Sequence, residues 1–122
     1  MPTRVLIVDD HADFRAAART LLTLRGYAVV GEAGCAESAL TEAARLQPNA
    51  LLLDVQLRNE NGFEVARALR DSCPGAAVLL VSACDYDACE DLVRSVGAAG
   101  FLLKERLVDE DLAAYWPPPR AD

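Results

Sequence analysis

The chain has 122 residues, enough for one domain with a buried core, and its 52% apolar and 25% charged residues are ordinary globular usage rather than that of a disordered chain. Its formal net charge of −7 argues against a broad surface for nucleic acid or acidic membranes, and no apolar run is long enough to span a bilayer. We therefore expect a cytoplasmic domain that binds neither nucleic acid nor membrane directly.

Five short apolar runs alternate with five helical patterns along the chain. The predicted strands cover residues 5–8, 28–33, 49–54, 77–81 and 100–103. The last helix is predicted from about Leu107 to Trp116, ahead of a run of three prolines. This alternation predicts an α/β fold, a flavodoxin-like (βα)5 three-layer sandwich whose parallel sheet has the strand order 2-1-3-4-5.

Turn and capping residues set the predicted ends of the other helices. Gly26 ends the first helix, and the residue before Pro48 ends the second because that position avoids helical geometry. Asn61, followed three places later by Glu64, is a capping-box signature at the start of the third helix.

The most informative stretch is Leu51–Leu53 followed by Asp54. Successive apolar residues indicate a strand that is buried on both faces, and its carboxylate lies where open α/β sheets place their ligands. The polar segment 58–62 indicates that this strand end opens to solvent. We interpret Asp54 as a nucleophile for phosphoryl groups.

Polar residues also end three other predicted strands: Asp9 and Asp10 on the first, Ser82 on the fourth and Lys104 on the fifth. The carboxyl ends of parallel strands share one edge of the sheet, so these side chains are expected near Asp54. Three clustered carboxylates favour a hard cation such as Mg²⁺, while Lys104 and Ser82 could hold phosphoryl oxygens. Taken singly, Asp9 and Asp10 could also cap a helix, and His11 is most simply an exposed residue at a helix start.

These residues, in this order and at these separations, resemble the receiver domain of two-component response regulators over about residues 4–112. The resemblance is closest to the subgroup that often carries helix-turn-helix output domains. The stretches that carry it are Val5–His11, Leu53–Gly62, Val81–Ala83 and Gly97–Lys104.

The resemblance implies a phosphoacceptor switch rather than a turnover enzyme. Asp54 would accept a phosphoryl group from a sensor histidine kinase, Ser82 and Lys104 would sense it, and Phe101 would be the aromatic switch residue. The signal would leave through the face formed by the fourth helix, the fifth strand and the fifth helix. The implied ligands of Mg²⁺ are Asp10, Asp54, the backbone carbonyl of Gln56 and, largely through water, Asp9.

We expect a receiver domain over residues 1–116 and a Pro-rich tail or linker stub over residues 117–122. The output would be a downstream protein or a C-terminal output domain, and a homodimer is possible through Tyr115 and Trp116. Those two aromatic residues are otherwise expected to pack in the domain.

Two positions depart from the pattern of the family, which usually has Pro where this chain has Arg58 and Glu105. We expect a trans peptide bond before Glu105, because a non-proline cis bond costs about 2.5–4 kcal/mol. The departures leave open a receiver-like interaction module that is independent of phosphorylation.

Two other classes of function are less well supported. A phosphatase of the haloacid-dehalogenase type would need a second Asp at Gln56. A redox switch would need Cys84 and Cys89 to approach each other. With Cys35 and Cys73 these form no C-x-x-C pair, and all four are expected to be small apolar side chains rather than zinc ligands.

Overall fold

The computed structural model describes residues 2–57, 59–83 and 90–118. The strands of the main sheet are β1 (Arg4–Val8), β2 (Ala28–Ala33), β3 (Ala50–Asp54), β4 (Ala77–Ser82) and β5 (Gly100–Leu103). A separate antiparallel ladder pairs Gln56–Leu57 with Glu60–Asn61 just after β3. The five strands of the main sheet are parallel and have the order β2-β1-β3-β4-β5, which confirms the predicted flavodoxin-like arrangement.

The helices that connect these strands are α1 (Ala12–Leu24), α2 (Ala36–Leu46), α3 (Gly62–Ser72) and α4 (Glu90–Ser95). Asn61 caps α3 as predicted, since its side-chain oxygen accepts a hydrogen bond from the backbone N–H of Phe63. Gln47 follows α2 with a left-handed backbone, φ 46°, so that helix ends just before Pro48. No helix among the described residues is long and apolar enough to cross a membrane.

Successive residues of β1 and β3 belong to two cores on opposite faces of the sheet, because side chains alternate along a strand. Leu6 and Leu51 lie in the core under α2 and α3, whereas Ile7 and Leu52 lie in the core under α1 and the C-terminal segment. All of β3 is buried. A strand enclosed in this way holds its last residue, Asp54, in a fixed position.

The prediction of a final helix from Leu107 to Trp116 is wrong. Residues 104–114 instead form two 3-10 helices, Lys104–Arg106 and Leu112–Ala114, separated by turns. The guanidinium of Arg25 donates hydrogen bonds to the backbone carbonyls of Leu107, Val108 and Glu110. Those carbonyls are therefore satisfied without a helix.

The side chains of the C-terminal segment still cover the sheet. Leu107, Leu112 and Trp116 are buried in the core under α1, and the Trp116 ring meets Tyr27 edge to face at 5.5 Å between centroids. The expectation that Trp116 packs within the domain is confirmed. Tyr115 is half-buried against Gly100, where an added Cβ would lie 2.4 Å from the Tyr115 ring.

The cysteines behave differently from one another. Cys73 is buried as predicted, but Cys35 is exposed at the start of α2, so its prediction as apolar filler is wrong. Cys84 and Cys89, which the redox hypothesis needs, lie outside the described residues, as does Arg58. No peptide bond among the described residues is cis, so the bond before Glu105 is trans as predicted.

Candidate functional site

Asp54 ends β3 and is almost completely buried, with 3% of its side chain exposed. Its Oδ1 accepts a hydrogen bond from the backbone N–H of Gln56 at 2.9 Å, and its Oδ2 lies 3.1 Å from Nζ of Lys104. Both carboxylate oxygens are thus fixed by groups that follow strands of the same sheet.

Asp9 and Asp10 follow β1, which lies beside β3 in the sheet as the topology predicted. Asp9 is fully buried, and its Oδ1 accepts a hydrogen bond from the backbone N–H of His11 at 2.8 Å. Its Oδ2 forms an ion pair with Lys104 at 2.7 Å, although the two groups are not aligned as a hydrogen bond. The backbone carbonyl of Asp9 accepts a hydrogen bond from Arg15, which fixes the turn into α1.

Lys104 joins the two carboxylates at the centre of the site. It follows β5, the outermost strand on one side of the sheet, and its Nζ lies 4.4 Å from the centre of the Phe14 ring. Burial acts to lower the pKa of Lys104, but the contacts with Asp9 and Asp54 outweigh burial and raise it. The side chain therefore remains an ammonium ion at neutral pH.

The negative charge of Asp54 is only partly compensated by its surroundings. Burial raises the pKa of the Asp54 carboxyl most, and the negative charge of Asp9 raises it further. The hydrogen bond from Gln56 and the positive charge of Lys104 lower this pKa, but they do not cancel the increase. One ammonium ion thus serves two buried carboxylates, with Asp10 beside them. A cation or a transferred group that neutralised this charge would be favoured here.

The acidic residues fit a divalent cation. One potential ligand atom from each of Asp9, Asp10, His11 and Asp54 lies within 4.8 Å of all the others. Oδ1 of Asp10 is buried and accepts no hydrogen bond from the described residues. Carboxylate oxygens with a free acceptor position are the ligands that Mg²⁺ and Ca²⁺ prefer. The role of the Gln56 carbonyl as a metal ligand stays a prediction.

His11 lies where the sequence placed it, exposed at the start of α1, with 66% of its side chain accessible. Its ring nevertheless turns toward the acidic residues, and Nδ1 lies 3.1 Å from Oδ1 of Asp9 and 3.1 Å from Oδ1 of Asp10. Its position directly after the two Asp residues was the only signal of this contact in the sequence.

Ser82 and Phe101, the predicted sensing and switch residues, take the positions that the strand order gives them. Ser82 is fully buried at the end of β4, one residue beyond the partner of Asp54 in register. Phe101 is half-buried in β5 and packs against the core together with Val93 and Ala98, which lie in and just after α4. Their roles in signalling stay predictions.

Two residues that the sequence did not single out fix the segment that follows β3. The backbone N–H of Gly62 donates to the carbonyl of Val55 at 2.8 Å, and an added Cβ would lie 2.4 Å from the Asp54 carbonyl oxygen. Glu60 caps α2, because its Oε1 accepts from the backbone N–H of Ala36 at 2.9 Å. In the sequence, the Asn61-Gly62 pair was interpreted only as the start of a helix. Its glycine was also the signal for the close approach of residue 62 to the backbone of Asp54 and Val55.

Comparison with known proteins assigns the same type of domain to nearly the whole chain. Residues 5–114 match the family model of the response regulator receiver domain. The response regulator GacA of Pseudomonas aeruginosa is 36% identical over 112 residues, which cover 91% of this chain and 52% of that protein. The chain spans about half the length of the curated relatives it matches.

Solved structures agree with this match. The signal receiver domain of the putative response regulator NarL from Mycobacterium tuberculosis is 37% identical, with a TM-score of 0.77, covering 93% of this chain and 89% of that one. A response regulator from Burkholderia pseudomallei, solved with a phosphorylated aspartic acid, a calcium ion and citrate, is 28% identical, with a TM-score of 0.84. That match covers 94% of this chain and 67% of the other.

Proposed function

The chain belongs to the response regulator receiver domain family, and we propose that it is the phosphoacceptor switch of a cytoplasmic two-component system, with Asp54 as acceptor. The observation that carries this proposal is the position of the Asp54 carboxylate. It is buried at the end of a central strand, held by Gln56 and Lys104, and lies beside Asp9 and Asp10.

In the proposed reaction, a carboxylate oxygen of Asp54 attacks the phosphorus of a phosphohistidine on a sensor kinase. The new P–O bond forms as the P–N bond breaks, and the electron pair of that bond stays on the histidine nitrogen. The Lys104 ammonium compensates the charge that arrives with the phosphoryl oxygens. A bound Mg²⁺, held by Asp10, Asp54 and the carbonyl of Gln56 with Asp9 through water, would neutralise the remaining charge.

The proposed output begins at the groups that would hold the phosphoryl oxygens, Lys104 and the hydroxyl of Ser82. The buried position of Ser82 beside the acceptor strand supports this role. Phe101 lies on the next strand and packs against the core with Val93, so a shift of Ser82 would repack the face between α4 and β5. The C-terminal 3-10 segment replaces the expected fifth helix in this output surface.

The proposed partners are a sensor histidine kinase and either a downstream protein or a C-terminal output domain, with residues 1–116 as the receiver and 117–122 as a tail or linker. The relatives are about twice as long as this chain, which is compatible with either form of output. Loading once per signal, without turnover of a substrate, distinguishes the proposed switch from a phosphatase.

Titration with beryllofluoride, a mimic of an Asp-bound phosphoryl group, tests this function by amide NMR. We expect saturable binding that requires Mg²⁺, with shifts at Ser82, Lys104 and Phe101, and we expect it to disappear in Asp54→Asn. Asp71→Asn, an exposed carboxyl on α3, is the matched control and should bind like the wild type. A folded wild-type protein that binds no beryllofluoride would instead favour the phosphorylation-independent module.

A further inference from the structure

The imidazole of His11 is directed at the acidic pocket rather than at its own helix. His11 is the residue that precedes α1, yet its side chain makes no capping hydrogen bond to that helix. Its Nδ1 instead lies 3.1 Å from one carboxylate oxygen of Asp9 and 3.1 Å from one of Asp10. The backbone N–H of His11 also donates to Asp9, which ties the backbone of the residue to the same carboxylate.

These distances match those between neighbouring ligands of a small dication. At metal–ligand bonds of about 2.1 Å, adjacent ligands of an octahedral ion are about 3.0 Å apart and opposite ones about 4.2 Å apart. Nδ1 of His11 is 3.1 Å from two carboxylate oxygens, and the whole set with Asp54 lies within 4.8 Å. Oδ1 of Asp10, one of these neighbours, is buried without a hydrogen bond from the described residues.

We propose that His11 is a metal ligand through Nδ1, and that it widens the metal range of the pocket to dications that favour imidazole, such as Ni²⁺ and Zn²⁺. This inference rests on the divalent cation site of the proposed function. A pocket of carboxylate and carbonyl oxygens suits Mg²⁺ and Ca²⁺, whereas an imidazole nitrogen adds affinity for softer dications. His11 would therefore determine which metal the pocket selects.

The composition of the chain makes the test unambiguous, because His11 is its only histidine. With Mn²⁺ alone added to the full chain, free of affinity tag and imidazole buffer, any directly bound imidazole nitrogen belongs to His11. Pulsed electron paramagnetic resonance detects such a nitrogen through its coupling to the Mn²⁺ electron spin. We expect this coupling in the wild type and its loss in His11→Asn, which keeps a residue favoured at helix starts.

Affinities give a second measurement. In His11→Asn we expect Ni²⁺ binding to weaken about tenfold while Mg²⁺ binding changes less than about twofold, since an imidazole nitrogen stabilises bound Ni²⁺ far more than bound Mg²⁺. Asp10→Asn should weaken the binding of both ions. Mn²⁺ that binds the wild type without nitrogen coupling would overturn the inference and leave the proposed function intact. A folded wild type that binds neither ion would overturn the cation site and, with it, this inference.

Discussion

The ammonium nitrogen of Lys104 lies 2.7 Å from Oδ2 of Asp9, closer than its 3.1 Å contact with Asp54. Lys104 therefore lies in the position of a divalent cation in the pocket and neutralises part of the carboxylate charge that such a cation would bind. A cation entering the pocket must compete with Lys104 for the carboxylates.

Replacing Lys104 should accordingly have opposite effects on the two ligands of the site. In Lys104→Met we expect Mg²⁺ to bind several-fold more tightly, because a competing positive charge is removed. We expect beryllofluoride to bind at least about tenfold more weakly, because a charged donor is lost. Calorimetric titration of each ligand measures both effects, with the exposed Arg106→Met as control. Weaker Mg²⁺ binding in Lys104→Met would contradict this competition.

The raised pKa of Asp54 predicts a pH-dependent cost to stability. At a pH below the ordinary carboxyl pKa, Asp54 is protonated in both the folded and the unfolded protein. As the pH rises through the raised pKa of the folded state, the stability that the protonated group contributed is lost. Without divalent cations, Asp54→Asn should therefore be the more stable protein at neutral pH, by on the order of 1 kcal/mol.

Urea unfolding of both proteins in a chelator, from about pH 4 to pH 7, measures this difference. It should grow with pH, whereas the exposed Asp71→Asn should show no such growth. A wild type that is more stable than Asp54→Asn at neutral pH would show that Lys104 compensates the buried charge fully.

Gly62 should tolerate no side chain. A Cβ there would lie 2.3 Å from Cα of Val55 and 2.4 Å from the Asp54 carbonyl oxygen, and both are backbone atoms. We expect Gly62→Ala to lower the free energy of unfolding by about 1–3 kcal/mol or more and to displace the carboxyl end of β3. In contrast, Gly75 has no atom within 4 Å of an added Cβ, so Gly75→Ala should change stability by less than about 0.5 kcal/mol. Equal unfolding curves for the two variants would refute the close packing.

Arg25 should be essential to the C-terminal segment. Its guanidinium satisfies three backbone carbonyls, and removing it leaves them without their donor. We expect Arg25→Met to cost about 1–3 kcal/mol of stability and to move Trp116 fluorescence to longer wavelength as the segment loosens. Arg45→Met, which removes only an exposed ion pair with Glu42, should leave the emission unchanged. Unchanged emission in both variants would mean that the buried apolar side chains hold the segment alone.

The strands could be predicted from sequence because burial on both faces leaves a plain signal. Val5–Val8 and Leu51–Leu53 are continuous apolar runs, and the structure buries both on both sides. The final helix could not be predicted in the same way. The spacing of Leu107, Leu112 and Trp116 fits a helix and also fits two short turns. The deciding group is Arg25, whose partner Leu107 lies 82 residues further along the chain.

The candidate site could likewise be predicted only in part from the sequence. Strand order is enough to bring Asp9, Asp10 and Asp54 to one edge of the sheet. Strand order does not determine side-chain conformation. It therefore could not predict that Lys104 contacts Asp9 or that the His11 ring turns toward the carboxylates. The pKa of Asp54 likewise depends on burial and neighbouring charge in three dimensions.

The hydrogen bonds from the Thr3 hydroxyl to the carbonyls of Pro117 and Pro118 bring the two ends of the described chain together. They meet at the amino end of β1, whereas Asp9 lies beyond its carboxyl end. The five residues of β1 span about 17 Å at about 3.3 Å per residue. A fluorophore, surface tether or fused protein attached near Thr3 or Pro118 would therefore leave the carboxyl ends of β1 and β3, with Asp9 and Asp54, unobstructed.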